Sequence, residues 1–199
     1  MRVIGGEWRS RRLKSIPSEA TRPTPDRLRE TLFDILQTRI EGGTFVDAYA
    51  GTGAVGIEAL SRGARHAYFL ERDRTALAAI RENLMSLGAG ARATIVPGPV
   101  VKSLTLHRGD IVYLDPPYAL EKEYASALVL LGAEAPLPNG RGSEGDSPLS
   151  EPRPLGSGAF RPRLVIVQHS VRFELATEYG SLRRTRVVRQ GDNALSFYE

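Results

Sequence analysis

The sequence predicts an α/β fold in which a mainly parallel sheet carries helices on both faces. Three observations point there. From residue 44 onward, strand-like and helix-like segments alternate. A Gly51-x-Gly53-x-x-Gly56 motif sits between the first of these strands and the helix after it. Asp115-Pro116-Pro117-Tyr118 follows directly on a later short apolar strand. Alternating βα units build parallel sheets because each crossover helix must bury its apolar stripe against the strands it connects.

The elements can be read in order. Residues 1–25 form a small basic extension, in which Arg2-Val3-Ile4 and Trp8 to Leu13 around Gly5-Gly6 pattern as a hairpin. Thr24 is placed to cap a helix with Pro25 at its first position, and Leu28, Leu32, Ile35 and Leu36 give helical spacing over 26–39. Thr44 to Tyr49 reads as a strand, followed by the glycine loop and a helix to about Arg62. His66 to Glu71 is the second strand. Leu77, Ile80, Leu84 and Leu87 stripe the next helix, with Asp73 as its cap, and Ala93 to Val96 is a weaker strand. Asp110 to Leu114 is a short buried strand, and a helix covers Glu121 to Leu131.

Residues 134–162 break the pattern with six prolines and five glycines and are read as a flexible insertion, because so little apolar surface cannot offset the entropy of ordering. Leu164 to Val167 has the signature of a central strand. Arg184 to Arg189 and Ala194 to Tyr198, joined through Gly191-Asp192-Asn193, form a terminal antiparallel hairpin. The expected division is therefore an extension over 1–25 and one domain over 26–199.

Composition narrows the function. The 199 residues are 41% hydrophobic, enough for one well-cored domain. The absence of cysteine excludes disulfides, thiolate metal sites and cysteine nucleophiles, and three scattered histidines argue against a zinc site. No apolar run approaches membrane-spanning length and the N-terminus lacks a signal core, so a cytoplasmic protein with no membrane partner and no metal is expected. Arginines crowd two places: Arg2, Arg9, Arg11, Arg12, Arg22, Arg27 and Arg29 near the start, and Arg183, Arg184, Arg186 and Arg189 near the end. Such clusters suit phosphate contacts.

Two constellations carry chemistry. In the first, the glycines let backbone approach a ligand and turn tightly into a helix, and Glu71, ending the second strand, can accept hydrogen bonds from two ribose hydroxyls. By itself this suits a dinucleotide equally well. Asp47, four residues before Gly51, shifts the balance: a carboxylate there repels a pyrophosphate and suits a cationic cofactor with an amino acid tail. In the second, Pro116 and Pro117 fix φ and remove two N–H groups, leaving the Asp115 carboxylate and the Pro116 carbonyl as rigid acceptors, with the Tyr118 ring beside them to stack on a base. Two acceptors gripping an exocyclic NH2 push its nitrogen toward sp³ geometry and stabilise the charge that develops on methylation. Trp8 reads as an anchor for the hairpin, His169 as structural, and the Arg29-Glu30 pair as surface chemistry.

At these residues the chain resembles the RsmD family of bacterial 16S rRNA guanine-N2 methyltransferases. The matching patches are Ile4 to Arg9; Arg22-Pro23-Thr24 with Asp26-Arg27 and Arg29 to Phe33; Asp47 to Ala64; and Asp115 to Tyr118, with weaker support from Gly191-Asp192 and Leu195 to Tyr198. The resemblance implies a class I (Rossmann-like) methyltransferase with a seven-stranded sheet. It implies S-adenosylmethionine as donor and a guanine N2 of 16S rRNA or the small ribosomal subunit as acceptor, with the chain acting as a monomer. Asp47, Gly51 and Gly53 would then line the methionine end, Glu71 the ribose, and Asp115, Pro116, Pro117 and Tyr118 the target amine, with Arg22 and Thr24 closing over the cofactor. One departure is Pro97-Gly98-Pro99-Val100, which lacks the acidic residue the family places near the adenine. The competing readings are an adenine-N6 DNA methyltransferase, an NAD-binding oxidoreductase and a non-catalytic ribosome-assembly factor.

Overall fold

The computed structural model describes residues 1–16, 25–117, 120–133 and 162–199. Among the described residues the α-helices are α1 Asp26–Leu36, α2 Ala54–Ser61, α3 Arg74–Ser86, α4 Val100–Leu104 and α5 Glu121–Gly132. The strands are β1 Thr44–Ala48, β2 His66–Glu71, β3 Ala93–Pro97, β4 Ile111–Leu114, β5 Leu164–Ser170, β6 Glu178–Tyr179, β7 Leu182–Gln190 and β8 Asn193–Tyr198. They join into one sheet in the order β3-β2-β1-β4-β5-β8-β7-β6. The pairs among β1 to β5 are parallel, and β8 closes antiparallel on β5 with β7 antiparallel beyond it. The eighth strand, β6, has only two residues and pairs with the start of β7, so the expected seven-stranded sheet gains a short edge.

Period-two alternation sorts the strand residues onto two faces. Phe45, Phe69, Ile111, Tyr113, Ile166 and Phe197 meet Leu32, Ile57, Leu60 and Ile80 from α1, α2 and α3. Val46, Leu70, Val112, Leu114, Val165 and Val167 meet Leu104 of α4 and Tyr124 and Leu128 of α5. Burial on both faces explains why β1, β4 and β5 read as nearly unbroken apolar runs.

The helix boundaries follow local chemistry. Asp73 caps α3 by accepting from the Ala76 N–H at 2.8 Å, as its position predicts. Pro25 occupies the cap position of α1 instead of the first helical one, and Thr24 lies outside the described residues. The expected helix over 26–39 ends at Leu36, and a 3₁₀ turn over Gln37–Arg39 completes it. The five-residue α4 is too short to leave a periodic signature in the sequence. Of the stretch read as an insertion, residues 134–161 lie outside the described residues. The chain resumes where the Arg163 and Leu164 N–H groups donate to the Asp110 carbonyl at 2.9 and 3.2 Å.

The N-terminal segment pairs as a hairpin through an Arg2–Arg12 bridge, with the Val3 N–H donating to the Arg11 carbonyl at 2.9 Å. Val3, Trp8 and Leu13 are buried in the same core as α1 and α2. Trp8 therefore serves as the anchor its sequence context suggested, with the Arg92 guanidinium 4.8 Å above its ring. The weld to α2 is a buried carboxylate. Glu58 accepts from the Ile4 and Gly5 N–H groups, both at 2.7 Å, and from Arg62 Nε at 2.8 Å, with Arg29 Nε at 3.8 Å.

Arg29 corrects the surface reading. It is fully buried, and its Nη2 donates to the Arg2 carbonyl at 2.6 Å. Its charge is met by Asp26 one turn earlier, at 3.0 Å, and by Glu58 of α2 at 3.8 Å. Helical spacing alone could not tell it from its exposed neighbour Glu30, because the hairpin and α2 that bury it lie elsewhere in the sequence.

Removing one partner of a buried charge cluster leaves the others uncompensated. Glu58→Ala is expected to destabilise the chain by about 3–5 kcal/mol, read as a lowered urea midpoint at unchanged slope, with the hairpin losing amide-exchange protection first.

Candidate cofactor and acceptor site

Strand β1 is the pivot of the site. Its Ala48 lies opposite Leu70 of β2 on one side and Leu114 of β4 on the other. One residue further along, β2 delivers Glu71 and β4 delivers Asp115. With strands about 4.8 Å apart, the two backbones emerge roughly 10 Å from each other across β1. The chain runs β1, β2, β3 toward one edge and then returns to place β4 on the other side of β1. The strand order thus reverses where the two motifs end, which is where open α/β sheets bind ligands.

The glycine loop is built to leave that crevice open. The Tyr49 and Ala50 N–H groups both donate to the Leu70 carbonyl, at 3.0 and 3.1 Å, and turn the chain toward β2. Gly51 has φ +54°, and a side chain there would meet nothing within 4 Å, so its backbone is exposed to whatever enters. Gly53 caps α2 with φ +79°. Gly56 serves packing: a Cβ would stand 2.4 Å from the Phe69 ring, so α2 can approach the sheet only without one.

Glu71 stands at the end of β2 as expected and is nearly buried. Its carboxylate accepts from the Gly51 N–H at 2.8 Å, the Arg72 N–H at 2.7 Å and the Asp73 N–H at 2.9 Å. It therefore organises the loop, and a carboxylate's roughly four lone-pair sites leave it about one more for a ligand. Asp47 lies deeper, beneath the loop, where it accepts from the Gly56 N–H at 2.8 Å at the start of α2. Burial raises its pKa from 3.8 to about 8. The Gly56 hydrogen bond opposes that rise, and the negative charges of Asp115 and Glu71 add to it. Three carboxylates thus converge on the ends of β2, β1 and β4.

This donor set fits S-adenosylmethionine. The burial and acidic neighbours that keep Asp47 protonated are offset when a cationic ligand enters, which favours its ionised form, and the same acidic cluster disfavours a pyrophosphate. Nearby, the Tyr49 hydroxyl is buried, with the Glu123 carboxylate facing it. Burial raises its pKa, and the Glu123 carboxylate raises it further. Tyr49 itself holds φ +65°, a conformation rare outside glycine, at the first residue after β1.

On the acceptor side the Asp115 N–H donates to the Ala48 carbonyl at 3.3 Å, which ties the motif to β1. Pro116 is buried, and its carbonyl accepts from the Tyr124 hydroxyl of α5 at 3.0 Å. Tyr124 therefore fixes the direction of an acceptor the sequence had singled out, while one carbonyl lone pair stays available. The Leu120 N–H donates to the Pro117 carbonyl at 2.8 Å and leads into α5.

Tyr118, Arg22 and Thr24 lie outside the described residues. Asn83 connects the N-terminal hairpin to the loop, since its side chain bonds both the Lys14 backbone and the Thr52 carbonyl. His169 is structural as read: it is buried, and its ring nitrogens contact the Ser196 hydroxyl and the Ser170 carbonyl, each at 2.9 Å. No helix of the described residues is long and apolar enough to cross a membrane.

Sequence reading missed Tyr49, Tyr124 and the turn after β5. Tyr49 reads as the last residue of a strand, and Tyr124 falls unremarked inside the helix over Glu121 to Leu131. Only the fold brings the Tyr124 hydroxyl to the Pro116 carbonyl and the Tyr49 hydroxyl to face Glu123 of α5.

A parallel sheet that reverses at β1, a glycine loop with an acidic residue ending β2, and an antiparallel β8 inserted beside β5 define a class I methyltransferase, the class that uses S-adenosylmethionine. Residues 1–140 match the family profile described as Conserved hypothetical protein 95, and the chain belongs to that family, the RsmD methyltransferases. YlbH of Bacillus subtilis, provisionally named an rRNA methyltransferase, is 31% identical over 206 residues, covering 100% of this chain and 98% of its own length. Ribosomal RNA small subunit methyltransferase D of Escherichia coli K12 is 43% identical over 122 residues, which cover 59% of this chain and 60% of that protein. The solved structure of yhhF from Escherichia coli superposes with a TM-score of 0.76 at 29% identity, over 100% of this chain and 96% of that one.

The raised pKa of Asp47 has a consequence for stability. Native Asp47 keeps its proton up to about pH 8, whereas the unfolded side chain releases it near 3.8. Between those values the unfolded state binds fewer protons, so stability falls as pH rises from about 4 to about 8 and levels off above, by at most about 1.4 kcal/mol per unit. Asp47→Asn retains an acceptor for the Gly56 N–H and cannot ionise. Urea titrations at several pH values are expected to give a flatter profile for the variant, with its advantage greatest near pH 8.

Proposed function

We propose that this chain transfers a methyl group from S-adenosylmethionine to the exocyclic N2 amine of a guanine in 16S rRNA. The observation that carries the reading is the flanking of β1 by Glu71 on one side and Asp115 on the other. It sets a cofactor loop and an amine-gripping motif at one crevice. The family and the names of its rRNA-methylating relatives support RNA as the acceptor.

S-adenosylmethionine supplies a methyl group made electrophilic by its sulfonium. The chain's own residues do the remaining work. The Gly51 to Gly53 backbone provides close approach, and Asp47 and Glu71 favour the cofactor's positive charge and ribose. Asp115 and the Pro116 carbonyl each accept a hydrogen of the guanine amine, which directs the nitrogen lone pair toward the methyl group and stabilises positive charge as it develops. Pro117 keeps the turn rigid, and Tyr118 stacks on the extruded base. Tyr124, through its bond to the Pro116 carbonyl, preserves the acceptor's aim.

The test uses purified small ribosomal subunits and duplex DNA with methyl-labelled cofactor. Label is expected in N2-methylguanine of 16S rRNA. Label confined to adenine of DNA would sink the proposal. Asp115→Ala is expected to lower the transfer rate by about 10²–10³-fold, with S-adenosylhomocysteine binding largely kept because the cofactor loop is untouched.

A further inference from the structure

A second concavity lies next to the Asp115 motif. Its volume is about 200 Å³, and it is lined by Glu121, Tyr124, Ser170, Arg172 and Phe173. Pockets for drug-sized ligands run to about 300–1,000 Å³, so this one suits a single planar fragment and not a whole cofactor. Its position is fixed by the fold. Ser170 ends β5, the strand paired with β4, and Glu121 begins α5, just beyond the motif. Tyr124 forms the floor, and its hydroxyl is bonded to the Pro116 carbonyl. The turn after β5 is held by the Phe173 N–H donating to the Ser170 carbonyl at 3.0 Å and the Arg172 N–H to the Ser170 hydroxyl at 3.2 Å.

The lining chemistry is selective. The partly buried Phe173 ring packs on Tyr124 with centroids 5.0 Å apart, which leaves an aromatic surface on which a base can stack. Glu121 and Arg172 are both exposed side chains of this one cleft, yet neither has an ion-pair partner among the described residues. One wall thus offers a free acceptor and another a free donor.

We propose that this cleft reads the acceptor base. In it the Glu121 carboxylate accepts guanine N1–H, the Arg172 guanidinium donates to O6, and Phe173 stacks on the ring. The assignment rests on the guanine-N2 reading above and adds the residues that select guanine. On guanine, N1–H and O6 continue the edge that begins at N2, so a base whose amine is gripped by Asp115 presents its next two groups to neighbouring residues. Adenine reverses both groups: N1 is an acceptor and N6 a donor. It would face the carboxylate with a lone pair and the guanidinium with a hydrogen. Unpaired polar groups of that kind reject an analogue far more strongly than a missing contact does.

The experiment measures kcat/KM on small subunits for the whole chain and for Glu121→Ala, Arg172→Ala, Arg172→Lys and Phe173→Ala. S-adenosylhomocysteine binding serves as the control for folding. Each alanine variant is expected to lose about tenfold to a hundredfold in kcat/KM with cofactor binding unchanged. Arg172→Lys should recover little, because the ammonium is a point donor without the planar guanidinium fork.

Charge sign distinguishes base reading from a phosphate contact. If the cleft faces backbone phosphate, removing the Glu121 carboxylate relieves repulsion and raises activity, while Arg172→Lys keeps near-full activity with its salt dependence intact. Either result overturns the assignment, as do alanine variants that keep the parent rate. If the parent chain makes N2-methylguanine and the variants match it, only the cleft assignment fails. If the parent makes none, both proposals fail together.

Discussion

Strand β1 is hydrogen-bonded along both sides, to β2 on one and to β4 on the other, and the rest of the site follows from that placement. A parallel strand must be reached by a crossover; here the crossovers from β1 through β3 step toward one edge, and the one from β3 to β4 returns past β1 to its other side. The loop that follows β1 therefore has no crossover lying over it and opens into a crevice. Gly51 can expose its backbone there, and Glu71 and Asp115 can face the same space from the two flanking strands. A sheet wound in one direction only would have put Asp115 at least two strands further away and covered the loop with a helix.

The electrostatics of the crevice are a consequence of the same geometry. Asp47, Glu71 and Asp115 come from three adjacent strands, and their proximity raises the proton affinity of the most buried, Asp47, beyond what desolvation alone produces. Such a cluster is costly in isolation and becomes favourable when a cation joins it. Glu71 spends three of its acceptor positions on the backbone of the loop and of the turn into α3. The loop's shape and its charge are thus set by one side chain, and substituting it would alter both together.

The N-terminal hairpin belongs to this arrangement more closely than its basic composition suggests. Glu58 and Ser61 on α2 hold the backbone of residues 4–8, and Asn83 on α3 ties Lys14 to the Thr52 carbonyl of the glycine loop. Arg29, counted with the basic residues, contributes no surface charge, because it is buried between Asp26 and Glu58.

The sequence by itself determined the alternation of strands and helices, the Asp73 cap, the terminal hairpin and the two motifs at strand ends, because each is written in neighbouring residues as a period, a cap or a turn. Asp47, Gly51, Gly53, Glu71, Asp115 and Pro116 were legible for that reason. Only the tertiary structure decided how far apart those motifs stand, that Asp47 is buried beneath the loop, that Arg29 pairs with Glu58, and that Tyr124, Glu121, Arg172 and Phe173 share one cleft. These facts depend on contacts between residues tens of positions apart. Strand order and burial fix such contacts, and no local pattern along the chain encodes them.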